Sequence, residues 1–228
     1  MRLIIAGCEY SGTTTLADVI TEWIEERLGG PSGVHDHFKG PPEKNLTELE
    51  ESQFRALGPR LHEMFQRYQI EYHLQPGFFA NPDHILVGMH LEDAVYAGMY
   101  YGFGGPGEYA DRTVFARHIE ERLVGLAPDI IEILVKASPE VIRQRMNDAP
   151  HHIQIIRDAD VEHVLERFEE EHEASLIRHK MEVDTSRMDS KMCLQQVLEV
   201  YEPLMTDSDR IRALTMQGRR DGQWFGSS

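Results

Sequence analysis

Cysteine is nearly absent. The 228 residues contain only Cys8 and Cys193, far apart and without metal-type spacing, which excludes a disulfide framework and fits a reducing compartment. Long apolar runs are also lacking, and the N-terminal one, Leu3 to Ala6, is too short for a secretory signal core or a membrane span. Basic charge is scarce: 23 Lys and Arg face 39 Asp and Glu, a formal charge of −16, so the overall field repels nucleic-acid phosphates and anionic lipid. No repeat, linker or low-complexity tract interrupts the chain. These absences set the expectation of a soluble cytoplasmic protein whose partner is a small molecule, with no nucleic-acid polymer and no membrane; a homodimer is left open.

What is present reads as an α/β chain. Apolar residues make up 41% and charged residues 27%, a globular balance. Arg2 to Ala6 is a short buried-type strand ended by Gly7, and Leu16, Val19, Ile20, Trp23, Ile24 and Leu28 then recur at helical spacing up to Gly29-Gly30. Further strands are expected near Val34, at Ile85 to Val87, at Ile130 to Val135 and ending at Glu182 to Asp184. Between them lie a helical stretch from Thr47, capped through Glu50, to about Leu74 with a break at Gly58-Pro59, and helices at Leu91 to Tyr101, Arg112 to Leu126, Ser138 to Pro150, Asp160 to Ile177 and Ser190 to Leu204. Gly40-Pro41-Pro42 reads as a break, and the polar tail after Thr206 as mobile. Such alternation implies a mainly parallel sheet covered on both faces.

The chemistry concentrates at Gly7-Cys8-Glu9-Tyr10-Ser11-Gly12-Thr13-Thr14, which has the spacing of the phosphate-binding loop G-x-x-x-x-G-K-[ST] without its lysine. Glycines let the backbone curl so that successive N–H groups point inward, and the positive end of the following helix adds to them. Gly7, Tyr10, Ser11, Gly12, Thr13, Thr14 and Thr15 are therefore the candidate phosphate-binding residues, with the Thr14 hydroxyl directed at Mg²⁺. Since Thr13 stands where the lysine would be, another cation must balance the transferred charge. Arg143, Arg145 and Arg157 are the candidates.

The run Ile133-Leu134-Val135-Lys136-Ala137-Ser138-Pro139-Glu140-Val141-Ile142-Arg143-Gln144-Arg145 and the exit Val183-Asp184-Thr185-Ser186 resemble the small P-loop kinases of the nucleoside, nucleotide and shikimate kinase type. The resemblance implies a three-layer fold with a mainly parallel five-stranded sheet, a domain over residues 1–206 with a helical lid near 143–160, and a tail at 207–228. It also implies ATP and Mg²⁺ as cofactors and phosphoryl transfer to a nucleoside, nucleotide or other small hydroxyl or phosphate acceptor. In that family Arg143 and Arg145 would be lid arginines and Asp36 the carboxylate that orients or deprotonates the acceptor. Where these kinases carry an acidic-arginine pair after the third strand, this chain reads Gly88-Met89-His90-Leu91-Glu92-Asp93, leaving His90, Glu92 and Asp93 for Mg²⁺ or acceptor contacts.

Two alternatives stay open. Ser11-Gly12-Thr13-Thr14-Thr15 resembles the turn of sulfotransferases that use phosphoadenosine phosphosulfate, although Tyr10 stands where that family has lysine. Loss of the lysine also suits a nucleotide-binding protein without catalysis. The twelve histidines, His35, His37, His151 and His152 among them, read as surface or loop residues, because no pair has the helix spacing of a zinc site. The acidic run Glu166 to Glu173 reads as a solvated helix face, and Tyr100, Tyr101 and Phe103 as core packing or a flap beside the glycine-rich loop Gly102 to Gly107.

Overall fold

The computed structural model describes residues 1–30, 33–36, 47–151 and 154–221. His37, Gly40-Pro41-Pro42, His152 and the side chain of Asp36 lie outside the described residues. Five strands, β1 (Arg2–Gly7), β2 (Gly33–Asp36), β3 (His84–Val87), β4 (Ile131–Lys136) and β5 (His179–Asp184), form one parallel sheet in the order β2-β3-β1-β4-β5.

Alternation along the strands divides the core. Leu3, Ile5, Ile131, Ile133 and Val135 face one side, where helices α1 (Thr13–Leu28) and, later in the chain, Ser190–Tyr201 cover them. Ile4, Ala6 and Leu86 face the other side, under the helices at Pro59–His73 and Arg112–Leu126. With both faces covered, β1 is buried along nearly its whole length, which is why it reads as a continuous apolar run.

In chain order the helices after α1 are α2 (Glu48–Arg55), α3 (Pro59–His73), α4 (Pro76–Phe79), α5 (Met89–Tyr96), α6 (Arg112–Leu126), α7 (Pro139–Asp148), α8 (Val161–Ala174), α9 (Ser190–Tyr201) and α10 (Asp207–Arg220). Side-chain chemistry sets several starts: Thr47 and Glu50 form the expected capping box on α2, Asp111 caps α6, and Ser138 caps α7 ahead of Pro139.

Three expectations need correction. The polar tail is ordered from Asp207 to Arg220 as α10, lying on α1. Its Ile211 and Leu214 are exposed, so no apolar stripe announces it; a Thr206–Asp209 capping box and Arg212, which bonds Asp83 and the Leu28 carbonyl, hold it instead. The charged helix α8 stops at Ala174, leaving Leu176 exposed beyond it. The stretch after α5 widens into a π-type turn at Ala97–Tyr101, where Gly98 sits against the Gly105 backbone.

The histidines also differ from the surface reading. His35, His62, His73, His84, His90 and His172 are buried. Single-residue spacing could not foresee this, because their neighbours come from distant elements: the His35 ring lies 4.7 Å from that of His84 and 5.2 Å from that of His73. Glu171 and His172 likewise turn inward from the acidic face of α8. Phe103 is core, beneath the Arg112 guanidinium at 5.0 Å. No helix among the described residues is long and apolar enough to cross a membrane.

Candidate functional site

β1 is the central strand, and it and its neighbour β3 send their following helices, α1 and α5, to opposite faces of the sheet. A crevice outside the carboxyl ends of the strands results, the usual place for a ligand in an open α/β sheet. The loop from Gly7 to Thr14 lies there.

Backbone geometry dictates its glycines. A Cβ at Gly7 would collide with the Val135 carbonyl and with Ser11 Oγ, so β1 could not lie so close to β4 with a larger residue there. Gly12 has φ 102°, a left-handed conformation that costs other residues dearly. Tyr10 is left-handed too, at φ 68°, and its ring pays for that strain by stacking on His151 at 4.0 Å while its hydroxyl accepts the His151 N–H at 2.9 Å.

Arg145, on α7, grips this loop from outside. Its Nη1 donates to the carbonyls of Tyr10 (2.8 Å) and Ser11 (3.1 Å) and to Thr185 Oγ1 (3.0 Å), while Nη2 donates to the Thr185 carbonyl (3.0 Å). Thr185 Oγ1 in turn donates to the Ser11 carbonyl at 2.6 Å. In a trans peptide the C=O and the following N–H point in opposite directions, so holding the Ser11 carbonyl outward turns the Gly12 N–H inward. The N–H groups of Gly12, Thr13, Thr14 and Thr15 have no acceptor among the described residues, and the first internal bond of α1 runs from Leu16 N–H to the Gly12 carbonyl. Unpaired amides at a helix start, with a guanidinium behind them, are the kind of arrangement that suits an anion.

The same contacts correct the expected role of the arginine pair. Arg145 is committed to the loop and the β5 exit rather than extended into a lid. Arg143 is turned outward, its Nε on Asp158 at 2.8 Å and its Nη2 on Glu162 at 2.6 Å. Arg157 is 74% exposed, 4.0 Å from Asp160 and over the Tyr100 ring at 5.6 Å. Of the three it keeps the most uncommitted charge.

Glu9 ties the loop to His151, Ile155 and Ile156. One carboxylate oxygen accepts the N–H groups of Ile155 (2.8 Å) and Ile156 (3.1 Å), and the other lies 2.7 Å from His151 Nδ1. The Glu9 N–H donates to the Tyr96 hydroxyl at 2.8 Å, tying the loop to α5. Burial pushes the Cys8 thiol up, and the Glu9 and Glu92 carboxylates push it further, so Cys8 stays a neutral packing group.

On the acceptor side the metal assignments separate. Thr14 is exposed at the start of α1, and Glu92 is buried near Cys8 and Tyr96, at the foot of the loop. Asp93 does not fit a metal-ligand role: it is buried 3.0 Å from Arg112 Nε, a contact of charge without hydrogen-bond geometry. Burial raises its carboxyl to about 6 against the opposing pull of Arg112. The backbone of Asp36 ends β2 in register with Val87, at the same level of the sheet as Ile5 of β1. Gly88 and Met89 both have positive φ, a strained β3–α5 junction that spacing alone did not disclose.

A cavity of about 510 Å³ beside the loop is lined by Cys8, Leu134, Ser138, Glu162, Phe168 and Asp184 among others. Its four carboxylates, Glu162, Glu166, Glu169 and Asp184, outnumber the one lysine, Lys136, and disfavour an anionic ligand there.

No protein-family model matches the sequence, and comparison with curated proteins finds no match. Solved structures do match. Deoxyadenosine kinase from M. mycoides with bound dATP superposes with a TM-score of 0.57 at 17% identity, over 87% of this chain and 98% of that one. Thymidylate kinase from Ehrlichia chaffeensis gives 0.52 at 18%, over 88% and 98%, and shikimate kinase from Bacteroides thetaiotaomicron 0.50 at 13%, over 89% and 98%. With its five parallel strands, its glycine loop after the central strand and these superpositions, the chain has the fold of the P-loop small-molecule kinases.

Proposed function

We propose that this protein is a phosphotransferase that takes a phosphoryl group from ATP and gives it to a small hydroxyl or phosphate acceptor such as a nucleoside or nucleotide. The observation that carries the reading is the Arg145-held loop, whose four unpaired amides stand ready for phosphate oxygens without a lysine. Bound MgATP would supply the phosphoryl group and the metal charge. Thr14 and Glu92 are the residues that fit Mg²⁺; Asp93 is excluded by its pairing with Arg112.

The chain's own parts then divide the work. The amides of residues 12–15 bind and orient the phosphates. Arg145 is a positioning residue that acts through the loop backbone. Arg157 follows Ile156, whose N–H is held by Glu9, so it is the cation of segment 149–157 best placed to offset charge on the transferred group. Asp36, at the carboxyl end of β2, orients or deprotonates the acceptor.

A nucleotide-binding protein without turnover is the second reading, favoured by the carboxylate of Glu9 within the loop sequence and by the missing lysine. The sulfotransferase reading has no such support, because Tyr10 at the lysine position is stacked on His151. A thermal-shift panel of ATP, ADP and adenosine 3′,5′-bisphosphate, with and without Mg²⁺, followed by ADP release across an acceptor panel, separates them. Stabilisation by ATP with acceptor-dependent ADP release supports phosphotransfer; stabilisation without release supports the second reading. A shift by adenosine 3′,5′-bisphosphate alone overturns both.

A further inference from the structure

Away from the loop, on the α5–α8 side of the sheet, the core contains charge that the proposed reaction does not use. Glu132, the second residue of β4, has none of its surface exposed, and Glu120 of α6 is equally buried. One ligand atom from each of these and from His90 of α5 lie within 4.8 Å of one another. Three separate elements therefore deliver two carboxylates and an imidazole to one buried point.

The surroundings hold these groups as ligands are held. Glu120 Oε2 accepts the Leu176 N–H at 2.8 Å and Glu132 Oε2 accepts the Ser175 hydroxyl at 2.7 Å, so in each carboxylate one oxygen is anchored. The other oxygens face histidines: Glu120 Oε1 is 3.1 Å from His90 Nε2, and Glu132 Oε1 is 2.7 Å from His172 Nδ1. Anchored carboxylates and a histidine supporting a carboxylate are the outer-sphere pattern of protein metal sites. His90 Nδ1 has no hydrogen-bond partner among the described residues.

Charge makes the second, independent case. Two carboxylates so close together in the interior repel each other, and the arginine at hand, Arg117, is shared with Glu171 at 3.1 Å. A divalent cation among His90, Glu120 and Glu132 would balance both carboxylates and leave Arg117 to Glu171.

We propose that His90, Glu120 and Glu132 form a structural site for a first-row divalent metal of the Zn²⁺ type, with His172, Ser175, Arg117 and the Leu176 N–H as its outer sphere. Mixed imidazole and carboxylate donors suit Zn²⁺ and its spectroscopic substitute Co²⁺. The site is distinct from the Mg²⁺ position at Thr14, and by fixing α5 at His90 it would also fix Glu92 beside the loop.

The test uses the full-length protein, stripped with chelator and free of nucleotide. Zn²⁺ is titrated against a chromophoric competitor and Co²⁺ is followed by visible absorption. The expected result is one equivalent bound with a four- or five-coordinate Co²⁺ spectrum and a raised melting temperature. Glu120→Gln and Glu132→Gln, which preserve shape, should weaken Zn²⁺ binding at least tenfold, whereas Thr14→Ala and His84→Phe should leave it unchanged. Absence of stoichiometric binding by the wild type overturns the proposal, as does wild-type affinity in either glutamine variant. If a glutamine variant does not fold, His90→Ala is read in the same way, and retention of wild-type binding there also overturns it.

Discussion

The two halves of the sheet are built on different principles. On the β1–β4–β5 side, backbone atoms do the work: carbonyls of Tyr10, Ser11 and Thr185 are gathered by Arg145 so that amides face the crevice. On the β2–β3 side, side chains fill the space: the His35, His73 and His84 rings pack together toward the amino end of β3, whose first residue His84 is in register with Arg2, and Asp93 pairs with Arg112 in the helical layer. A site made of backbone tolerates loss of a side chain such as the Walker lysine, whereas a region made of buried side chains is sensitive to charge.

The comparison is broken most severely by Gly12→Val. At φ 102° a β-branched residue cannot keep the loop, so ATP binding should vanish in calorimetry while circular dichroism stays native. Normal binding by the folded variant would remove the amides from the account. On the other half, Arg112→Leu leaves Asp93 buried without its cation and should lower stability in urea unfolding by about 3–5 kcal/mol. Asp93→Asn, by contrast, should leave Mg²⁺-dependent nucleotide binding intact, since Asp93 is no metal ligand.

Much of the loop half was legible. Strand, turn and helix follow from Arg2 to Leu28 by spacing alone, α6 begins and ends where the Arg112 to Leu126 periodicity places it, and Thr47, Ser138 and Asp184 mark their junctions. What Arg145 holds was not legible, because its partners lie 40 to 135 residues away and are mostly carbonyls, which no motif records. Glu9 was passed over for a similar reason: it occupies a variable position of the motif, and its partners are the backbone amides of Ile155 and Ile156. The buried histidines and α10 were missed because tertiary contacts, not periodicity, decide them.

A smaller effect comes from pH. Burial, reinforced by His35, His73 and Arg2, holds His84 down to about 3, and burial with His73 holds His35 down to about 4. Both are then neutral in the folded chain while their unfolded forms gain protons below about pH 6.5. Their contribution is complete above that pH and lost as pH falls toward their folded values, so stability should drop on acidification, with about 2–3 kcal/mol from His84 by pH 4.5. Asp93, raised to about 6, acts in the opposite sense, its contribution being lost as pH rises between about 4 and 6. His84→Phe should therefore flatten the acid limb of the stability profile in denaturant titrations, and an unchanged limb would contradict the buried neutral histidine. The smallest effect is expected from Arg143→Ala, whose exposed pairs with Asp158 and Glu162 should alter nucleotide affinity less than about fivefold.

The central claim, that Arg145 holds the phosphate site in place of the missing lysine, is tested most directly by titrating MgATP calorimetrically into wild-type and Arg145→Ala protein. The account predicts micromolar-to-millimolar binding by the wild type and a loss of at least tenfold in the variant, with lysine at position 145 restoring little, because one ammonium cannot reproduce a forked set of bonds to Tyr10, Ser11 and Thr185. Equal affinity in wild type and Arg145→Ala would contradict it.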